Sequence, residues 1–121
     1  MSDRNRLSAV KMRRMLAAGE MSAVDLLNDC IAAIEVENPR VNAVVTPNFD
    51  HARQRAQACD AIWAKGDDCG PLHGLPVVIK DLMDTAGLRT TYGSRCFADH
   101  VPTGDALIVA RLKAAGAIVL G

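Results

Sequence analysis

Aromatic side chains are nearly missing from this 121-residue sequence: Phe49, Trp63, Tyr92 and Phe97 are the whole set. A core without them must rest on Ala, Val, Leu, Ile and Met, and half of the residues are hydrophobic. That length is enough for one compact domain with a real core. Net charge is also lacking, since fourteen basic residues balance fourteen acidic ones. Nucleic acids and anionic membranes select a basic excess, so direct binding to either is not expected. The one local bias, Lys11, Arg13 and Arg14, reads as the wet face of a helix. No run approaches the roughly 18 apolar residues of a membrane span, and the N-terminus shows no signal-peptide pattern. Four cysteines, at 30, 59, 69 and 96, form no C-x-x-C pair, and the three histidines form no H-E-x-x-H. Cys69 and His73 stand four apart, but two ligands alone make no zinc site. Unpaired thiols in a reducing, cytoplasmic setting are the expectation, with no metal or cofactor.

What is present is periodic. Arg4 to Ala18 predicts a first helix, with Leu7, Val10 and Met15 on one side and Gly19 as its stop. Ser22 and Asp25 form a capping-box variant opening a second helix. Val24, Leu27, Ile31 and Ile34 give that helix one apolar stripe, and Pro39 predicts its end near Glu37. Val41 to Thr46 reads as a strand stopped by Pro47. Asn48 is a candidate cap for a third helix to about Lys65, with Ala52 and Ala56 on a face suited to close packing. Leu75 to Asp81 predicts a second strand, with Pro76 near its start where a missing amide donor is tolerated. Leu82 to Thr103 has no clear period and is long enough to suggest a functional loop. Gly104 and Asp105 start a fourth helix with Ile108, Leu112 and Ala115 on one face, and Ala117 to Gly121 reads as a third buried strand. These alternations indicate an α/β protein, a mixed and largely parallel sheet flanked by helices. One domain segment covers 1–121: a helical region at 1–40, then a strand and helix region at 41–121 that includes the lysine-bearing strand 75–81. The chain stops on an apolar strand, where such folds place functional loops, so it looks truncated.

Lys80 ends an apolar strand. Held against Val77, Val78 and Ile79, an ammonium would lose hydration, which favours the neutral amine and makes a candidate general base. Strands also end in charged residues where the chain meets water, and from position alone that solvated alternative is the commoner one.

The stretch "GPLHGLPVVIKDLMDTAGLRTTYGS", then "P", "DA" and "VARLKAAGAIVLG", resembles the opening third or so of the amidase signature family. Its members show G-P-L-H-G-[IL]-P-[VI]-x-[IV]-K-D, a D-T-x-G-x-x-T-T stretch, and D-A-x-x-V-x-[RK]-L-[KR]-x-A-G-A-[IV]-[IL]-G. The match is close over Gly70 to Gly121 and looser before it. The resemblance implies hydrolysis of carbon–nitrogen amide bonds by a Ser–cisSer–Lys triad through a serine acyl-enzyme. Lys80 corresponds to the lysine that deprotonates the bridging serine, which in turn activates the nucleophilic serine. Both family serines lie in a G-G-S-S-G-G-S segment well beyond the last strand. Ser2, Ser8, Ser22 and Ser94 lack that context, so none receives the role and the chain alone is expected to be inactive. Asp81 is a loop anchor or an orienting group, and Thr90, Thr91 and Gly93 are scaffold near the site. His73 is expected to be structural, while His100 and Tyr92 are candidate pocket residues. The implied substrate is a small-molecule amide, and the expected partner is a second copy of the chain or the remainder of an amidase polypeptide. Two alternatives share the pattern: the glutamine-hydrolysing A-type subunit of a tRNA amidotransferase, and a non-catalytic truncated protein.

Overall fold

The serine at position 8 divides what the sequence presents as one helix. In the computed structural model, which describes residues 3–121, Arg4–Arg6 form a single 3-10 turn and α1 runs over Ala9–Ala17. Ser8 is extended between them, and its hydroxyl accepts from the Lys11 amide at 3.3 Å. A serine cap satisfies a free amide donor better than a continued helix would at that point. The buried side of α1 is Leu16, helped by Met12 and Met15, whereas Val10 is exposed. Lys11 and Arg14 are exposed as expected, but Arg13 is not part of a wet face. Its Nε donates to the Pro71 carbonyl at 3.1 Å and its guanidinium lies 3.7 Å from Asp68.

Helix α2 spans Ala23–Val41 and opens on the predicted capping box. The Ser22 hydroxyl accepts from Asp25 N at 3.0 Å, and the Asp25 carboxylate accepts from Ser22 N at 3.4 Å. Such a cap stabilises a helix by about 1 kcal/mol. Leu27 and Ile31 of the predicted stripe are buried with Ala23 and Leu26, while Val24 and Ile34 pack at the margin. Each fully buried leucine contributes roughly 2 kcal/mol by leaving water.

The helix does not end at Glu37. It passes through Pro39, and Asn42 closes it in a left-handed conformation with φ 47°. Pro39 sits in the last turn, so its missing N–H removes one hydrogen bond and leaves the rest of the helix intact. Asn38 compensates, for its side chain accepts from Val44 N at 2.8 Å and donates to Val44 O at 2.9 Å. The predicted strand at 41–46 is therefore absent: Val41 is helical and the residues after Asn42 form no ladder.

Helix α3 covers Phe49–Ala64 and buries Ala52, Ala56 and Cys59. Asn48 precedes it without making a side-chain cap. Its amide groups instead reach the chain near the C-terminus, donating to Leu120 O at 2.8 Å from the backbone and to Val119 O at 3.1 Å from the side chain.

The sheet of the described residues has two parallel strands, β1 (Pro76–Val77) and β2 (Ile118–Val119). Backbone pairing extends beyond them, from Leu75 O with Ile118 N at 2.8 Å to Ile79 N with Gly121 O at 2.9 Å. The strand predicted at 75–81 is thus paired only as far as Ile79. Helices α2 and α3 pack on each other and against this pair, and one apolar cluster joins Leu16, Leu27, Ile31, Ala56, Ile118 and Leu120. The turn at Gly70–Gly74 leads into β1 and lies close against the turn before β2. A Cβ on Gly116, at φ 97°, would stand 2.9 Å from both Cβ and O of Cys69.

Residues 82–103 are ordered by their own hydrogen bonds, among them Gly87 N to Pro102 O and Thr90 N to His100 O, each 3.0 Å. A second 3-10 turn occupies Arg95–Phe97. Helix α4 then runs over Leu107–Ala114, starting later than Asp105. Asp105 binds the Lys113 ammonium at 2.9 Å and accepts from Ala86 N at 2.7 Å. Val109 is the buried residue of α4 and Ile108 of the predicted face is exposed, while Leu112 and Ala115 of that face are half-buried. Among the described residues, no helix is long and apolar enough to cross a membrane.

Candidate active site

Side chains alternate across a strand, and that period places Lys80. Val77 and Ile79 are half-buried, whereas Val78 and Lys80 share the open face; Val78 is 57% exposed. The sequence argument for burial therefore fails in this chain: Lys80 is exposed. Its carbonyl accepts from Met83 N at 3.0 Å, which turns the chain immediately after the paired segment. Among the described residues, no hydrogen bond or ion pair engages its Nζ.

Lys80 borders a cleft of about 540 Å³ that is also lined by Asp81, Thr90, Tyr92, Gly93, Gly121 and Val44 to Thr46. Val45, Val78, Leu82 and Met83 form an exposed apolar rim around it.

Asp81 is clamped. One carboxylate oxygen accepts from Thr91 N at 2.8 Å and the other from the Thr91 hydroxyl. Burial works against its ionisation, but the Thr91 hydroxyl and amide, with Arg89 and the Gly93 amide, outweigh it and hold the carboxyl below its ordinary range. This is the loop-anchor role, and it holds Thr91 and Gly93 here, whereas Thr90 is held by Leu88 O and His100 O.

Tyr92 adopts φ 54° and donates its hydroxyl to Asp84, which pushes its phenol up, with burial second. The same oxygen lies 3.3 Å from His100 Nε2, and the Tyr92 ring meets Phe97 edge-on at 5.1 Å. Tyr92 lines the cleft; His100 stands behind it and does not.

His73 is buried, and its Nδ1 accepts from Cys69 N at 2.7 Å. Burial, then Arg13, lowers it and keeps the ring neutral, a structural histidine as expected.

The described serines are all committed elsewhere. Ser8, Ser22 and Ser94 cap helical turns, accepting from Lys11, Asp25 and Cys96 amides. Ser2 lies outside the described residues. Sequence reasoning paired Cys69 with His73 but missed Cys59. Helix α3 brings its Sγ to 3.3 Å from Cys69 Sγ, and the ligand atoms of all three residues lie within 4.8 Å of one another. The ten-residue separation of the two cysteines carries no motif that could have revealed this.

Two clamped carboxylates imply acid sensitivity. For Asp105 too, burial opposes ionisation, and the Lys113 ammonium and Ala86 amide prevail and hold it low. A carboxyl that ionises more readily in the folded chain contributes stability that is complete above its unfolded value of about 4. That contribution fades as pH falls through the lower folded value. Melting temperature is expected to drop between about pH 5 and about pH 2, and Asp105→Asn should flatten the drop. An unchanged slope in that variant would remove Asp105 as a source.

A model of the Amidase family matches residues 25–121. The A-type subunit of the glutamyl-tRNA(Gln) amidotransferase from Nitratidesulfovibrio vulgaris is 45% identical over all 121 residues, which cover 24% of its length. Its namesake from Roseiflexus castenholzii is 44% identical over 115 residues, 95% of this chain and 23% of that one. Among solved structures, a peptide amidase bound to the competitive inhibitor chymostatin superposes with a TM-score of 0.87 at 33% identity, over 94% of this chain and 24% of that one. A protein from a vestigial complex bearing on the origins of an s-triazine catabolic enzyme gives 0.90 at 35%, over 95% of this chain and 25% of that one. The chain thus spans about a quarter of the length of the relatives it matches.

Proposed function

The chain belongs to the amidase family, and from that premise we propose that it supplies the lysine of an amide-hydrolysing site whose serines come from further polypeptide. The observation that carries this is the placement of Lys80. It follows a hydrogen-bonded strand directly, faces an open cleft, and has the clamped Asp81 beside it. In the open α/β sheets where chemistry is known, reactive groups gather beyond the carboxyl ends of strands.

The step assigned to Lys80 is proton transfer. Its neutral amine takes the proton of a bridging serine hydroxyl, which then takes that of a nucleophilic serine. The nucleophile attacks the amide carbon, the amine departs with a proton returned by the same relay, and water releases the acid from the acyl-enzyme. A neutral lysine requires desolvation, and the exposed apolar rim of Val45, Val78, Leu82 and Met83 is the surface on which covering polypeptide would provide it.

A second reading has its own support. Relatives 40–45% identical to this chain are A-type subunits of glutamyl-tRNA(Gln) amidotransferases. In that case the amide hydrolysed is that of glutamine, and a partner protein takes the ammonia.

Ammonia release separates these readings. A polypeptide joining this chain to the length its relatives carry is expected to release ammonia from simple amides. Release from glutamine alone, with a co-purifying partner, would select the second reading. The 121-residue chain by itself should release none; measurable turnover would mean that it holds its own nucleophile and would sink the proposed division.

A further inference from the structure

The cluster at the end of α3 has no part in amide hydrolysis as derived above. Cys59 is fully buried there, and Cys69 is partly exposed in the turn that leads into β1. The two thiols hydrogen-bond across 3.3 Å, so the sulfurs already face each other. We propose that Cys59 and Cys69 are a reversible disulfide site, oxidised by a peroxide and reopened by a thiol reductant.

Binding of a metal ion is the competing use of three such groups, and the hydrogen bonding at His73 opposes it. Its Nδ1 accepts from Cys69 N, which places the ring proton on Nε2 and leaves no free ring lone pair for a metal. Exposure sets the order of the chemistry. Burial first, and then the hydrogen bond that its own thiol proton shares with the Cys69 sulfur, push the Cys59 thiol up to about 11, so Cys59 rests protonated. Cys69 is the more exposed of the two residues, and so the one on the side of an incoming oxidant.

The Cys69 thiolate attacks the peroxide; an S–O bond forms, the O–O bond breaks, and the other oxygen leaves as water with the thiol proton. Cys59 then attacks the sulfenic sulfur; the S–S bond forms, the S–O bond breaks, and its hydroxyl leaves with the Cys59 proton as a second water. Two thiols lose two electrons and one peroxide gains them. The product ties the last turns of α3 to the turn that feeds β1.

The test treats the folded chain, carrying Cys30→Ser and Cys96→Ser, with one equivalent of hydrogen peroxide. After alkylation and trypsin, the peptide at residues 56–65 should be joined to that at 66–80, with a mass lower by two hydrogens. Dithiothreitol should separate them. The oxidised chain should melt higher than the reduced chain, on the order of 10 °C, and Cys59→Ser should abolish that difference. Cys69 stopping at the sulfenic or sulfinic stage without the cross-link would overturn the proposal. So would an oxidised chain that melts below the reduced one, because the bond would then form only in unfolded molecules.

Discussion

Replacing Lys80 with alanine, in a polypeptide that joins this chain to the length its relatives carry, should lower kcat for amide hydrolysis by about 10³-fold. The expectation rests on where the residue sits. Backbone pairing from Leu75 to Ile79 fixes the strand, Met83 N holds the Lys80 carbonyl, and Thr91 fixes the neighbouring Asp81. In the 121-residue chain the side chain is exposed, so its removal there should change stability by less than about 0.5 kcal/mol. Activity and melting temperature should then part company, which a structural role for Lys80 would not produce. Lys80→Arg sharpens the test. Arginine keeps the charge and much of the reach but has no accessible neutral form, so a base is lost while a binding cation is kept. Both variants should show a collapsed kcat with KM little changed. An arginine variant that retains most of its activity would make Lys80 an electrostatic contact and remove it from the proton relay.

The parts legible in the sequence were those in which a residue acts on its own neighbours. Ser22 and Asp25 cap each other within one turn, and Ala52 with Ala56 marks a face by spacing alone. The misses came from groups that act at a distance. Asn38 rescues a helix through Pro39 by binding Val44, which a rule about prolines cannot anticipate. Asn48 leaves its own helix uncapped to bind β2, and Asp105, expected at the start of α4, lies before it and binds Lys113 and Ala86. Lys80 shows a different limit. The apolar run before it allows either burial or a solvated strand end. The solvated end is what forms, because a strand has two faces and Lys80 shares the open one with Val78. The motif singles out Lys80 as a candidate while saying nothing of its surroundings, because burial depends on what covers a surface.

Asp60 is the long-range contact with the largest expected effect on folding. It belongs to α3, yet its carboxylate accepts from the first amides of α2, Ala23 N at 2.7 Å and Val24 N at 3.1 Å. With the capping box serving Ser22 N and Asp25 N, every amide donor at the entrance of α2 is bound by a side chain. The negative charge also faces the positive end of the helix dipole. Asp60→Ala leaves two donors without partners at a helix end that buries Ala23, Leu26 and Leu27. Hydrogen bonds to a charged acceptor contribute about 1.5–3 kcal/mol each, so a loss of about 3 kcal/mol is expected. That is a large share of the roughly 5–15 kcal/mol typical of a domain. Ser22→Ala, which removes one neutral acceptor, should lose only about 1 kcal/mol. Asp60→Asn should fall between the two, because one amide oxygen remains to accept while the new NH₂ meets a donor. Urea unfolding midpoints measure all three, and an unchanged m-value confirms that the same surface is exposed. If Asp60→Ala unfolds within about 0.5 kcal/mol of the parent, water serves those donors as well as Asp60 does. The junction of α2 and α3 would then rest on its apolar contacts alone.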